Sequence, residues 1–156
     1  MRGIKGYLIV LAAAGALAVW GVNKMSRGIR NKNPLNIERT GDKWLGMSAD
    51  QSSDSRFVVF DHEVYGIRAA ARILKNYGKR GVDTIEQIIS TWAPDHENDT
   101  DNYIAIVAKK TGIPTQRPIA DDEFPALLAA MIEVENGSNP YSMELIAEGV
   151  RLANVS

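Results

Sequence analysis

The chain has 156 residues, a net charge of −1 and no cysteine. This length suffices for one domain with a real core, and the near-neutral charge argues against nucleic acid as a partner. The absence of cysteine excludes a disulfide framework and a thiolate metal site. Two lone histidines, His62 and His96, are too few for a typical zinc site, so we expect no metal and no cofactor.

Residues 6–22 form an apolar segment without a single charge. A segment of about seventeen residues is near the lower limit for crossing a bilayer as a helix. Tyr7 and Trp20 lie near its ends, where aromatic side chains favour the lipid–water interface. Arg2 and Lys5 precede it, as in a signal peptide, but no convincing cleavage site follows. The sequence predicts an uncleaved membrane anchor; a buried core helix is the other interpretation.

This anchor divides the chain into a membrane segment over residues 1–23 and one domain over residues 24–156. The lipid bilayer is then a predicted partner through residues 6–22, and the protein is predicted to be a single-pass membrane protein. Basic residues after the segment outnumber those before it. The positive-inside tendency alone would therefore keep the domain in the cytoplasm.

Two short apolar and aromatic runs, 43–47 and 56–60, follow an irregular polar stretch over residues 23–42. Residues 31–34 read as a turn, because a proline biases the residue before it toward extended geometry. The run RFVVF at 56–60 is rich in the β-branched and aromatic residues that favour strands. Because a polar segment separates the two runs, we predict a small β-hairpin with a long loop.

From residue 61 onward the spacing of apolar residues predicts five helices. They are expected from an Asp61 cap to Gly78, from Asp83 to just before Pro94, over about 100–110, over 121–137, and from Ser142 onward. We therefore expect a mainly α fold of the α+β class, in which a helical domain carries one small hairpin and is preceded by one transmembrane helix.

The fourth predicted helix carries a carboxyl group on its apolar side. Its apolar stripe consists of Phe124, Leu127, Leu128, Met131 and Ile132, and Glu135 extends that stripe at helical spacing. A carboxyl group aimed at an apolar surface is disfavoured as an anion, so its pKa should rise. A raised carboxyl pKa is what a general acid for glycoside cleavage needs. The other interpretation is a helix-terminal glutamate that accepts hydrogen bonds from nearby backbone donors.

Residues 131–140, MIEVENGSNP, resemble the catalytic segment of lytic transglycosylases of the lysozyme-like superfamily. In that family a helix ends in Glu-Ser, often followed within a few residues by Asn-Pro. Glu135 falls on the catalytic glutamate, whereas Asn136 stands where the family has serine. The resemblance implies a lysozyme-like helical domain that cleaves the β-1,4 bonds of peptidoglycan glycan strands, with Glu135 protonating the leaving oxygen.

A second resemblance lies near the other end of the domain. Residues 27–37 (RGIRNKNPLNI), 56–60 and 66–69 are similar to a group of phage and prophage proteins, and residues 92–104 continue the similarity. The Asn-x-Asn-Pro-x-Asn-Ile order also resembles bacterial glucosaminidases of the same superfamily. There the catalytic glutamate precedes such a segment, whereas Glu135 follows it here, so we hypothesise a circular permutation.

The resemblance leaves the second half of the reaction open. In a transglycosylase the same glutamate would later take a proton from the C6 hydroxyl of the sugar. A hydrolase would more often use a second carboxylate, for which Glu38 and Asp54 are the candidates. For both residues a role in shaping a loop is the alternative interpretation.

Aromatic and amide side chains are the candidate substrate-binding groups, because sugar rings pack their C–H faces on aromatic rings. Trp44, Trp92, Tyr103 and Tyr141 could line a groove, with core packing as the alternative. Asn36 could hydrogen-bond an N-acetyl group, since the apolar residues on both sides of it suggest a fixed backbone.

These observations predict a phage enzyme that is anchored in a virion membrane or a host inner membrane. It would degrade the cell wall during infection or lysis, and it would act as a lytic transglycosylase or as a muramidase. Other virion proteins are further candidate partners. The alternative is a non-catalytic virion structural protein or glycan-binding membrane protein.

Overall fold

The protein is described by a computed structural model that covers residues 25–155. Six α-helices and one short 3-10 helix make up the secondary structure of these residues. The helices are α1 (Arg27–Arg30), α2 (Glu63–Gly78), α3 (Ile85–Trp92), α4 (Thr100–Thr111), α5 (Phe124–Asn136) and α6 (Met143–Ala153), and the 3-10 helix Asp121–Glu123 leads into α5.

Side-chain caps and glycines decide where the helices begin and end. His62 caps α2 through its ring Nδ1, and Thr84 forms a capping box with Gln87 at the start of α3. Both caps lie one residue after the aspartate that the sequence predicts. The predicted stops at Gly112 and Gly137 are confirmed, because these residues adopt φ of 70° and 74°, a left-handed conformation that glycine enters without strain.

Helix α5 lies at the centre of the domain, where it packs against α1, α2, α4 and α6. Its side chains are buried around most of its circumference: Leu127, Leu128, Met131 and Ile132 are 0 % exposed. The apolar stripe recognised in the sequence is thus only part of a helix that is enclosed on most sides. Glu135 is enclosed with the rest of it.

The predicted α+β class with a β-hairpin is wrong, since residues 25–155 contain isolated β-bridges but no strand. One bridge joins Glu38 to Phe57 and another joins Met47 to Phe60. The run 56–60 therefore pairs at its two ends with two different segments, instead of along its length with residues 43–47.

Loop side chains take the hydrogen bonds that a partner strand would supply. The side-chain amide of Gln51 accepts a bond from the Val59 N–H (2.9 Å) and donates one to the Val59 carbonyl (2.7 Å). The carboxylate of Asp54 accepts from the N–H groups of Arg56 and Phe57, both at 2.9 Å. Because these backbone groups are already satisfied, no ladder continues along the run.

The predicted fold class also placed one transmembrane helix before the domain. Within residues 25–155 no helix is both long enough and apolar enough to cross a bilayer. The anchor predicted over residues 6–22, and with it the division after residue 23, lies outside the described residues.

The close approach of α2 to the loop over residues 32–34 predicts an asymmetry between two glycines of one helix. A Cβ atom on Gly66 would lie 2.2 Å from the Lys32 carbonyl oxygen, whereas one on Gly78 would meet nothing within 4 Å. We expect Gly66→Ala to lower the free energy of unfolding by about 1–3 kcal/mol or more through overpacking. Gly78→Ala should instead be neutral or stabilise by about 0.5–1 kcal/mol.

Urea denaturation of both variants, compared at equal m-values, tests this asymmetry. Equal midpoints for the two variants would show that α2 and the loop are not packed as described.

Candidate functional site

The carboxyl group of Glu135 is enclosed by hydrogen-bond donors from three other parts of the chain. Glu135 is 1 % exposed. Its Oε1 accepts from the indole N–H of Trp92 at the end of α3 (3.2 Å) and from the hydroxyl of Tyr103 in α4 (3.0 Å). Its Oε2 lies 3.5 Å from the side-chain nitrogen of Asn36, in the loop after α1. The donors are therefore side chains, and not the backbone groups of the alternative interpretation.

Burial raises the pKa of Glu135 from 4.5 to about 8, although the hydrogen bonds from Tyr103, Trp92 and Asn36 favour the anion and oppose the shift. Desolvation prevails because three neutral donors do not replace the hydration of a charged carboxylate. At neutral pH this group is therefore a protonated acid, as the sequence predicts.

An open groove of about 900 Å³ runs beside this acid. Ligand sites in proteins commonly measure roughly 300–1,000 Å³. The groove lies between the segment 36–44 and the C-terminal half of α2, and the last turn of α3 borders it. The lining residues are Asn36, Ile37, Glu38, Thr40, Asp42, Lys43, Trp44, Ile73, Asn76, Tyr77, Lys79, Arg80, Thr91 and Trp92.

Asn36 and Trp92 connect the groove to the acid. Among residues 25–155 they are the two groove-lining residues that hydrogen-bond to Glu135. Glu135 itself does not line the groove and lies directly behind these two side chains. Since Tyr103 also bonds to Glu135, the structure brings four of the predicted site residues together: Glu135, Asn36, Trp92 and Tyr103.

Of the two candidate second carboxylates, Glu38 lines the groove and Asp54 does not. Glu38 is paired with Arg56 at 2.5 Å. Asp54 is buried and holds the loops together by accepting from Arg27 and Asn31. Although burial alone would raise the pKa of Asp54, these bonds and two backbone N–H groups hold it well below its usual range.

The predicted aromatic residues divide between the groove and the core. Trp44 and Trp92 line the groove. Tyr103 is 2 % exposed and reaches the site only through its bond to Glu135. Tyr141 is half-buried outside the groove, where burial and the charge of Glu63 raise its pKa to about 12.

The groove wall that α2 supplies was not predicted. Ile73, Asn76 and Tyr77 follow the core positions of a helix whose other side is buried, and such residues read as a solvated helix face. Arg80 extends this wall just after the helix ends at Gly78. Asp42 is another carboxylate of the groove that the sequence analysis did not single out. Asp42 reaches the groove because the segment 36–44 is irregular and does not form the predicted hairpin.

Asn136 joins the end of α5 to the loop that carries Asn36. Its side-chain nitrogen donates to the Pro34 carbonyl (2.7 Å) and to the Ile132 carbonyl (2.8 Å), and its Oδ1 accepts from the Ser26 hydroxyl (2.6 Å). An amide can make these bonds at once, whereas a serine in its place could not. We call these three hydrogen bonds, to Pro34, Ile132 and Ser26, the clasp of Asn136.

The described residues offer no metal centre, because residues 25–155 contain no group of three His, Cys, Asp or Glu side chains that could hold an ion. The site offers one buried acid with a raised pKa, next to a groove lined by aromatic, amide and charged groups.

The fold and the site together describe a helical domain in which a buried acid, Glu135, lies behind an open groove. The chain is 48 % identical over 147 residues to protein P5 of Pseudoalteromonas phage PM2, and the alignment covers 89 % of this chain and 91 % of that protein. It therefore belongs to the same family of phage proteins as protein P5. No family model matches the chain.

The raised pKa of Glu135 predicts that stability falls as the pH rises. The unfolded chain ionises this carboxyl near 4.5, but the folded chain keeps it protonated up to about 8. Between these values unfolding releases a proton, so stability present below pH 4.5 is lost at up to about 1.4 kcal/mol per pH unit. The glutamine in Glu135→Gln cannot lose a proton. The free energy of unfolding of this variant, minus that of wild type, should therefore increase from pH 5 to pH 8.

Urea denaturation of wild type and Glu135→Gln at several pH values measures this difference, in which the titration of other groups cancels. Glu133→Gln is the matched control, since Glu133 is half-exposed and pairs with Lys110. Its difference from wild type should stay flat. A flat difference for Glu135→Gln as well would show that Glu135 is ionised in the folded protein.

Proposed function

We propose that this protein cleaves the β-1,4 glycosidic bonds of peptidoglycan, with Glu135 as the general acid. The observation that carries the proposal is a protonated carboxyl group, 1 % exposed, directly behind two residues of an open groove. The resemblance of residues 131–140 to lytic transglycosylases of the lysozyme-like superfamily supports the same assignment.

The proton of Glu135 goes to the glycosidic oxygen as the bond between that oxygen and the anomeric carbon breaks. The resulting carboxylate then takes a proton from the group that attacks the anomeric carbon. In a lytic transglycosylase that group is the C6 hydroxyl of the same sugar, which closes an anhydro ring. In a hydrolase it is water. Either path returns Glu135 to its protonated form.

The carboxylates of the groove bear on the choice between these paths. Glu38 and Asp42 line the groove and could assist a water molecule, whereas Asp54 is committed to Arg27 and Asn31. Glu38 is held by Arg56. Asp42 accepts a bond from the Thr40 hydroxyl at 2.5 Å. The masses of the products distinguish the paths, since anhydro sugars come only from the transglycosylase.

The lining of the groove supports a glycan that carries acidic groups. Trp44, Tyr77 and Trp92 offer aromatic surface for sugar rings. Lys43 and Arg80 supply positive charge, and Arg80 lies over the Tyr77 ring at 5.2 Å. A peptidoglycan strand suits both kinds of group, because its sugar rings can pack on the aromatic side chains and its peptide stems carry free carboxylates.

One observation favours the second candidate function, a glycan-binding or structural phage protein without catalysis. The carboxyl group of Glu135 is covered by Asn36 and Trp92 and does not line the groove. A glycan could occupy the groove without meeting the acid unless Asn36 moves aside.

Replacing one glutamate distinguishes the two functions. We expect wild-type protein to release muropeptides from purified sacculi and Glu135→Gln to lose about 10²–10⁴-fold of that rate, since the variant keeps the shape of the side chain but lacks the acid. Glu133→Gln, two residues earlier on the half-exposed side of α5, should retain the wild-type rate. Mass spectrometry of the released products reports the path.

Equal release by wild type and Glu135→Gln would refute the catalytic assignment. If no variant releases muropeptides but all of them sediment with sacculi, the glycan-binding function is correct instead.

A further inference from the structure

Asn36 separates the acid from the groove. Its side-chain nitrogen lies 3.5 Å from Oε2 of Glu135, and the residue is part of the groove lining. The other groove residue at the carboxyl group, Trp92, contacts Oε1 instead. Each oxygen of Glu135 is thus covered by one groove-lining residue, Oε2 by Asn36 and Oε1 by Trp92.

The backbone of Asn36 is fixed in an unusual conformation. Its φ is 52°, in the left-handed region that asparagine enters more readily than most residues. Its N–H donates to the Asn33 carbonyl at 2.9 Å, and the next residue, Ile37, is held at 2.9 Å by the side chain of Asn33. The side chain of Asn36 is therefore aimed by an anchored turn.

The two oxygens of Glu135 have different surroundings. Oε1 accepts from the indole N–H of Trp92 and from the hydroxyl of Tyr103, which engages both of its lone pairs. The proton of the neutral acid then lies on Oε2. A buried O–H group needs an acceptor, and the group next to Oε2 is the amide of Asn36.

The amide of Asn36 has an acceptor to offer. Its Oδ1 is buried and has no hydrogen-bond partner among residues 25–155. That Oδ1 and the Asn33 carbonyl oxygen both lie 3.0 Å from the point where a Cβ atom on Gly28 would stand, and the Oδ1 of Asn136 lies 2.7 Å from it. Three oxygens thus converge where an N–H donor would be better placed.

Turning the amide by half a rotation places Oδ1 against the Oε2–H group of Glu135. The side-chain nitrogen then lies on the side of Gly28, where the oxygens of Asn33 and Asn136 surround the same point. The orientation of an asparagine amide is an assignment between two nearly isosteric groups, so the two orientations differ in hydrogen bonding and not in shape.

We propose that Asn36 is a positioning residue that holds the proton of Glu135 on Oε2, the oxygen that Asn36 covers, and turns its amide to donate to Oε2 when Glu135 ionises. Delivery of that proton to a glycan rests on the proposed function, but the coupling of the two side chains does not. Burial raises the pKa of Glu135, and the hydrogen bonds from Tyr103 in α4, Trp92 in α3 and Asn36 oppose that rise. These three uncharged side chains are the groups that face the carboxyl group.

Carboxyl-carbon NMR of the full-length protein, labelled in glutamate and asparagine, follows both side chains. We expect the side-chain NH₂ signals of Asn36 to move with the same midpoint as the carboxyl signal of Glu135. Signals of Asn36 that stay constant through that titration would overturn the proposal.

Two substitutions test the contact itself. Asn36→Asp places a second carboxyl group beside Oε2, so the pair should share one proton, with one titration step moved above that of wild type by about 1 or more. Asn76→Asp adds a carboxyl group to the same groove away from Glu135 and should leave its titration unchanged. Identical titrations of Glu135 in the two variants would refute the positioning role.

Asn36→Gly is compatible with the positive φ and removes the amide altogether. It should admit water to Oε2 and lower the pKa of Glu135 by about 1 or more. An unchanged pKa would refute the positioning role. These readouts do not depend on turnover: if they behave as expected while Glu135→Gln still releases muropeptides, the proposed function fails and the coupling stands.

Discussion

The enclosed carboxyl group of Glu135 joins helices α3, α4 and α5 to the loop after α1. Glu135 could occupy the middle of the helical core only as a neutral acid, and its neighbours supply donors at 3.0–3.5 Å that position it without stabilising the anion enough to ionise it. Helices α3, α4 and α5 and the loop after α1 each contribute one group. Their packing and the protonation of Glu135 therefore depend on each other.

Side-chain hydrogen bonds hold the irregular segments around residues 56–60, where the sequence predicts a hairpin. Gln51 bonds to the backbone of Val59 and Asp54 to the N–H groups of Arg56 and Phe57. Asn33 bonds to the carbonyls of Ile37 and Val58. Such bonds fix irregular segments as firmly as a ladder fixes strands, because each buried polar group still finds a partner. The loop that carries Asn36 is thus well determined although it contains no strand.

The sequence was sufficient for features encoded by neighbouring residues and insufficient for those set by distant ones. Apolar spacing and glycine stops located helices α2 to α6, and the stripe of α5 identified Glu135 as buried. The short helix α1 lies in the stretch 23–42 that the sequence analysis predicted to be irregular, so that prediction is wrong for residues 27–30. Strand propensity at 56–60 was misleading, because Gln51 and Asp54 compete for the same backbone groups. The residues that bond to Glu135 are distant from it in the sequence: Tyr103 by 32 positions, Trp92 by 43 and Asn36 by 99. No local pattern reveals such contacts, nor the groove wall on α2.

The clasp of Asn136 has a mechanical consequence for the groove. Since one amide bonds both to the last turn of α5 and to the Pro34 carbonyl, the helix that carries the acid and the turn that carries Asn36 shift as one body. Breathing of α5 against its neighbours then leaves the spacing of the two side chains intact. Residues 39–43, farther along the same wall, are exposed and lie outside this clasp, so the wall of the groove is tied to the helix of the acid beside Asn36 and not along its whole length.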